Sequence, residues 1–327
     1  LTTDQRGVSR IVTGIADTGA VEALISAVVN SAGDSGQGSL RDTILEVETG
    51  GFITFDPALD AATITLSGAE LAVTRSVSID ASALPSGISI DANQASRVLA
   101  IDDDNDLVFS DVVLTNLTIT GGQTSGNGGG IANRENLTLR NCTIDTNIAE
   151  GHGGGAWLAL GSSTIDSCAI ANNSAAGTEG GGGLQLDSEA SLVLEATSFR
   201  SNTASDSGFT GRGGGSLAAL TGSSLSASGC TFHLGSSGFA GGAASISTNT
   251  ATFSDCTFSR NSAGNGGAVN LQSASPSFIG CRFLENHSSL EGGGIWISAA
   301  SAPTIDNSTF SGNSSARGGA TWHGNSV

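Results

Sequence analysis

Catalysis needs a nucleophile with a base, a metal-ligand cluster, or paired acids, and this chain holds few of the residues that supply them. Its 327 residues include four His, five Cys and no Tyr. The basic residues are 12 Arg without a single Lys, set against 30 Asp and Glu for a net charge of −18. His152, His233, His287 and His323 fall at unrelated points of the repeat described below, so none is offered to a Ser, Thr or Cys as an adjacent base. Cys142, Cys168, Cys230, Cys256 and Cys281 come singly, without the close Cys/His spacing of a zinc site. A polysaccharide lyase wants a basic residue near an acid-bound metal or substrate, and a hydrolase wants two carboxylates on one face. Asp145, Asp166 and Glu195 form no repeated cluster of that kind, and no phosphate-binding Gly loop is present. The expectation is a protein that is not an enzyme and carries no cofactor.

Three groups of residues remain as binding or modification candidates. In IDDDNDL, Asp102, Asp104 and Asp106 alternate as the first ligands of a calcium loop do, but no Gly follows and Val113 stands where the twelfth-position Glu belongs. The stretch reads first as a solvated acidic turn, with Ca²⁺ as the alternative. Trp157, Trp296 and Trp322 each follow the first inward residue of a short strand, so alternation points all three outward in one column. An outward aromatic column is expected either to form a contact surface for protein or for surface glycans, since indole combines apolar area with a polar edge, or to pack beneath a neighbouring loop. Asn116, Asn136, Asn286 and Asn313 stand in N-x-Ser/Thr patterns, as do Asn141 and Asn307, and are N-glycosylation candidates; a role in turns explains most of them without a glycan.

The elements that position these residues come from a repeat. With 48 Gly but 4 Pro and 38% hydrophobic residues, the chain is neither collagen nor a disordered tract. Glycine clusters recur with their third position at Gly130, Gly155, Gly183, Gly215, Ala243, Ala268, Gly294 and Ala320. Each opens a short strand of period two, with inward residues Ile131 and Asn133, Leu184 and Leu186, Ala244 and Ile246, Val269 and Leu271, Ile295 and Ile297. A second strand follows, exemplified by ATFSDCTFSRN and PSFIGCRFLEN. It aligns Ile119, Ile144, Ile170, Phe199, Phe232, Phe258, Phe283 and Phe310 in one column. Two residues earlier runs Leu117, Cys142, Cys168, Thr197, Cys230, Cys256, Cys281 and Ser308, which takes every cysteine into a buried stack of small apolar thiols. Asn147, Asn173, Asn202, Gly235, Asn261, Asn286 and Asn313 form one corner column, and Asn116, Asn141, Ser167, Gly229, Asp255, Gly280 and Asn307 another; both are expected to hold left-handed backbone.

A coil of about 26 residues with short strands and Asn/Gly corners predicts an all-β, right-handed parallel β-helix, a solenoid stabilised by stacking each coil on the next. GSLRDTILEVE predicts a capping helix over about residues 39–48, N-capped by Ser39, with Leu40, Ile44 and Val47 laid over the first coil. No run approaches the ~20 apolar residues of a membrane span, so the chain is not expected to span a membrane. The acidic balance argues against nucleic acid as a partner. Position 1 is Leu and no Met occurs anywhere, which fits processing or a start within a longer polypeptide.

SAGDSGQGSLRDTI, ITFDPAL, TITLSGAELAVTRSVSID, LTNLTITGG and the recurring GGGI with NCTI together resemble bacterial right-handed β-helix surface proteins of the polymorphic outer-membrane-protein and choice-of-anchor type. The resemblance covers residues 29–327 and implies an extracellular, adhesive or structural domain. Residues 1–28 resemble the closing segment of such a domain, on Asp4, Gln5, Arg6, Gly7, Arg10, Asp17, Gly19, Ala20 and Glu22. The order, a closing segment and then a β-helix whose last coil stops at GGATWHGNSV, predicts head-to-tail assembly into a surface fibre or filament, with copies of itself or adjacent repeats of one polypeptide as partners. The rival expectations are a carbohydrate-active enzyme and a carbohydrate-binding module on the same scaffold.

Overall fold

A computed structural model describes residues 11–12, 15–16, 24–205 and 213–324 of the chain. Alternation of apolar and polar residues in segments of two to five residues can bury only one side of a strand, so each segment must share its apolar side with others. The chain does this by winding. One coil runs through Asn136–Arg140, Thr143–Asp145, Ile148–Ala149 and Ala156–Leu158, then begins again at Ser162–Asp166. Each strand bonds in parallel to its equivalents in the coils before and after, giving four lengthwise sheets. The first sheet has 11 strands (Leu24–Val29 to Thr304–Asp306), the second 10 (Thr63–Thr65 to Thr309–Ser311), the third 7 (Gln123–Thr124 to His287–Glu291) and the fourth 10 (Leu71–Val73 to Thr321–His323). Ten spacings of ~4.8 Å make a rod about 50 Å long. A separate antiparallel pair, Ile11–Val12 with Ile15–Ala16, lies upstream. The residues likened to a closing segment otherwise fall outside the described ones, while Leu24–Val29 is already a strand of the solenoid.

The core is one continuous apolar column from Val29 to Ile297. On the second sheet the expected column is in register from Ile64 and Ile90 through Ile119 to Phe310. Its upper five members, Phe199, Phe232, Phe258, Phe283 and Phe310, stack with ring centroids 4.5–4.9 Å apart and planes within 7° of parallel. Phe253 and Phe278 of the first sheet meet this stack edge-on, at 5.6 and 5.5 Å. The parallel offset that in-register strands impose is a favourable aromatic geometry, and the edge contacts lock it from the side.

Two details differ from the sequence reading. In GRGGGS the residue preceding the fourth-sheet strand is Ser216, not Gly215, because Leu217 pairs with Leu184 and Ala244. Three successive glycines hid the one-residue offset. The left-handed residues also sit differently. Asn116, Asn141, Ser167, Asp255 and Asn307 do have positive φ, but at the other corner the positive φ belongs to Thr146, Asn172, Ser201, Leu234, Arg260 and Glu285, each one residue before the asparagine column. The asparagines themselves turn inward. Gly266 illustrates the turn into the fourth sheet: at φ +65°, its added Cβ would lie 2.1 Å from the Val269 carbonyl oxygen.

The helix covers Leu40–Glu46, with Ser39 Oγ accepting the Asp42 N–H at the N-cap, and gives way to strand Val47–Phe55. It buries Leu40, Thr43 and Ile44 against Leu24–Val29 and Val47–Phe55, the first two strands of the first sheet, and Leu71–Val73, the first strand of the fourth. Arg41 ties it down by pairing with Asp34 at 2.6 Å and donating to the carbonyls of Ala69 and Glu70. Apolar side chains at the start of the first coil are thereby covered.

Candidate functional site

The residues best suited to chemistry are largely spent on holding coils together. All five cysteines are free and buried. Each thiol sits where it can donate to a carbonyl of its own coil or the coil before, and the Cys142 N–H donates to Cys168 Sγ at 3.3 Å. Thr197 and Ser308 interrupt the column yet do the same work: Thr197 Oγ1 accepts from Cys168 N and Ser308 Oγ accepts from Cys281 N. Cys168 is pushed up from the ordinary thiol value by the neighbouring Cys142 sulfur and by burial, and Cys256 by the sulfurs of Cys230 and Cys281 and by burial. Cys168 and Cys256 are thereby held as neutral thiols.

The asparagine column is equally committed. Asn147 donates from its amide to the Ile119 carbonyl and to Asn173 Oδ1, and Asn173 repeats the pattern toward Ile144 and Asn202. Asn261 and Asn286 do so toward Phe232 and Asn286, and Phe258 and Asn313. Among the acceptor-pattern asparagines, Asn286 is thus buried with its amide nitrogen enclosed, and the half-buried Asn116 and Asn313 donate to backbone carbonyls. Asn136 is likewise half-buried and donates its amide to Asp111.

The acidic stretch closes on an arginine from the next coil. Arg134 pairs with Asp102 at 3.5 Å and Asp106 at 2.8 Å, while Asp104 stands exposed at φ +61°. A guanidinium thus occupies the position between two of the three carboxylates considered for calcium. Among the described residues no group of three or more His, Cys, Asp or Glu is arranged to hold a metal. Buried Glu135 pins the loop from beneath by accepting the N–H groups of Asp103 and Ser110, and burial raises its carboxyl above the usual range. The Ser110 hydroxyl holds Asp103 below it. Leu107 and Val108 protrude from the tip.

The outward column of the fourth sheet runs Ala132, Trp157, Gln185, Ala218, Ser245, Asn270, Trp296, Trp322. Trp296 and Trp322 are register neighbours, whereas Trp157 is separated from them by four residues that the chain itself covers. Gly181, Gly241 and Gly266 press on that stretch, each within 3.0 Å of a backbone nitrogen at Ala218, Ser245 or Asn270 if a Cβ is added. Each indole is half-buried, with Trp157 Nε1 donating to Asp187 and Trp296 Nε1 to Glu291. Beside Glu291 opens a cavity of about 330 Å³ lined by Phe239, Asn265, Leu290, Glu291, Ala316 and Arg317. The sequence offered no signal for it, because its residues come from four coils and share no motif.

Residues 76–240 and 199–326 match the family model of a right-handed β-helix region. The chain belongs to the right-handed β-helix family. No curated protein matches it. Among solved structures it is similar to ORF18 of Geobacillus virus E2, at 11% identity and a TM-score of 0.45, over 89% of this chain and 60% of that one. The family fixes the winding of the solenoid as right-handed.

One arrangement on this β-helix was missed in the sequence. Asp166 and Glu195, 29 residues apart, are direct register partners on the first sheet, next to Arg140. The Glu195 side is open to solvent and Asp166 accepts the Ser167 hydroxyl, so the two acids form a surface pair rather than the walls of a cleft. Among the described residues no helix is long and apolar enough to cross a membrane.

Proposed function

We propose that this β-helix is an extracellular, non-catalytic rod with a structural or adhesive role, extended by head-to-tail stacking of further coils. The observation that carries the reading is the last described coil. Its strands Thr304–Asp306, Thr309–Ser311 and Thr321–His323 each stand at the edge of a parallel sheet. Its inward residues are still apolar: Ile305 is 37% exposed, and Phe310 stacks on Phe283 on one side. An edge of this kind templates a strand of a second copy. A heterologous contact of that geometry propagates along the rod axis.

Negative-stain imaging of the native material tests the proposal, with rods longer than the roughly 50 Å of one described unit as the expected result. Ile305→Lys places a charge at the stacking contact and is expected to shorten them. Isolated short rods at high protein concentration would count against assembly. The rival enzymatic reading rests on Asp166 and Glu195, and it requires release of new ends from a polysaccharide that Glu195→Gln abolishes.

A further inference from the structure

The two most exposed large apolar side chains among the described residues stand together at the tip of the acidic loop, Leu107 at 91% and Val108 at 67%. Apolar side chains left in water lower stability, and a free loop would fold such a tip back onto the surface. This loop is instead held out by bonds at its base and along its length. Glu135 accepts the N–H groups of Asp103 and Ser110, Arg134 bridges Asp102 and Asp106, and the Leu107 N–H donates to Asn105 Oδ1. The tip is therefore presented in a fixed shape, with little ordering left to be done when it meets a partner. Of the acids beside it, Asp102 and Asp106 are taken up by Arg134, and Asp103 by the Ser110 hydroxyl and the Asn105 N–H. The exposed Asp104 lends only its backbone N–H to the loop, so its carboxylate, three residues before Leu107, stays uncommitted.

The cavity beside Glu291 has the complementary make-up. It offers the apolar side chains of Phe239, Leu290 and Ala316 and, at the rim, the 66% exposed Arg317 guanidinium. Asn265 lies beneath with its Oδ1 fully enclosed, and both oxygens of Glu291 are already used, by the Trp296 indole and by Arg317 Nη1. Arg317 keeps donors beyond that one bond. At about 330 Å³ the space lies at the small end of ligand pockets and takes one or two aliphatic side chains.

We propose that Leu107 and Val108 of one copy insert into this cavity of a second copy, with Asp104 meeting Arg317 at the rim. Apolar tip faces apolar wall, and the free carboxylate faces the guanidinium with donors free. The negative charge around the tip argues against an anionic bilayer as the receiver and for a socket with a basic rim. The two features cannot meet within one rod. The loop leaves the fourth sheet after Leu99–Ile101, whereas the cavity residues lead into Ala244–Ile246, Val269–Leu271, Ile295–Ile297 and Thr321–His323, about 30 Å further along the rod at ~4.8 Å per strand. Tip and socket are different surfaces, so the contact is heterologous. It sets rods side by side with a stagger and leaves one tip and one socket free for further copies. This side contact goes beyond the end stacking proposed above and stands without it.

The test is sedimentation velocity over a concentration series of the intact chain carrying Ile305→Lys, which removes end stacking and leaves the side contact. A contact this small has a dissociation constant on the order of 0.1 mM, so the sedimentation coefficient is expected to rise through that range. Leu107→Asp and Ala316→Trp, both at exposed positions, are each expected to hold the protein monomeric at an unchanged melting temperature. Mixed in equal amounts the two variants are expected to pair, since one supplies an intact socket and the other an intact tip, and to stop at a dimer because neither can extend it. Asp104→Asn, which suits the left-handed backbone at that position, is expected to weaken association about fivefold. Association that survives in either single variant, a mixture that stays monomeric, or an Ile305→Lys protein that does not associate at about 1 mM would each overturn the assignment. Rod length in images reports on stacking alone, so the two readings fail separately.

Discussion

Ser216 and Gly235 break two columns at once, and the coincidence predicts a compensated pair. In the three preceding coils a Gly at the Ser216 position packs on the asparagine of the following coil, as Gly130 does on Asn147 with its added Cβ 3.0 Å from Nδ2. At the exception the asparagine is replaced by Gly235, and the larger Ser216 lies in front of it, its Oγ 2.9 Å from the position of a Cβ on Gly235. Ser216 Oγ is buried without a partner, so the filling is steric, not polar. Gly235→Asn alone forces a side chain against Ser216 Oγ and the Gly242 carbonyl, an overpacking worth about 1–3 kcal/mol. Ser216→Gly alone removes an unsatisfied hydroxyl but adds backbone freedom, roughly ±1 kcal/mol net. The double variant removes the Ser216 contact, although the Gly242 carbonyl still has to give way, and joins the run ending at Asn202 to the run starting at Asn261 through two buried amide hydrogen bonds of about 1 kcal/mol each, of the kind Asn173 and Asn261 make. Equilibrium denaturant unfolding of the four proteins therefore gives a favourable interaction energy of about 3 kcal/mol. Additive single effects, or a double variant less stable than Gly235→Asn, would refute the packing argument.

The remaining predictions concern the thiols and the cap. All five cysteines are expected to resist maleimide under native conditions and to react together only in denaturant, by mass spectrometry; labelling of Cys256 in the folded state would contradict the column. Asp34 is partly buried, which opposes ionisation, but the Ser67 and Arg41 bonds outweigh this and hold its carboxyl below the ordinary value. Its contribution to the cap is thus present above the usual carboxylate range and lost as pH falls through the lowered folded value. Asp34→Asn is expected to speed hydrogen exchange in Leu40–Glu46 roughly thirtyfold at neutral pH, from about 2 kcal/mol of lost charge-assisted bonding, and to make that exchange insensitive to acid.

What the sequence made legible was whatever repeats in register. Ile119 to Phe310 and Leu117 to Ser308 were recoverable because a parallel solenoid places equivalent residues directly above one another. Ser39 announced its helix because an N-cap is a local contact. The readings that went astray depend on neighbours outside the repeat unit. Three glycines in GRGGGS admit two alignments, and only the pairing of Leu217 with Leu184 chooses between them. The asparagine column was assigned to left-handed backbone, although the bond from Asn147 to the Ile119 carbonyl requires the amide to point inward. Arg134 on Asp102, and Asp166 beside Glu195, join residues from 28 to 32 positions apart through loops of unequal length.

The orientation of the sheets also sets how such a rod fails under tension. Its interstrand hydrogen bonds lie along the long axis, so a pull along that axis loads the bonds of one coil at a time instead of shearing all coils together. The coil between Trp296 and Trp322 holds 26 residues, which stretch to roughly 90 Å once peeled away, against ~4.8 Å when stacked. Each coil is then a packet of hidden length, released at modest force. A tether built this way yields stepwise, absorbing work coil by coil while the remaining coils stay folded.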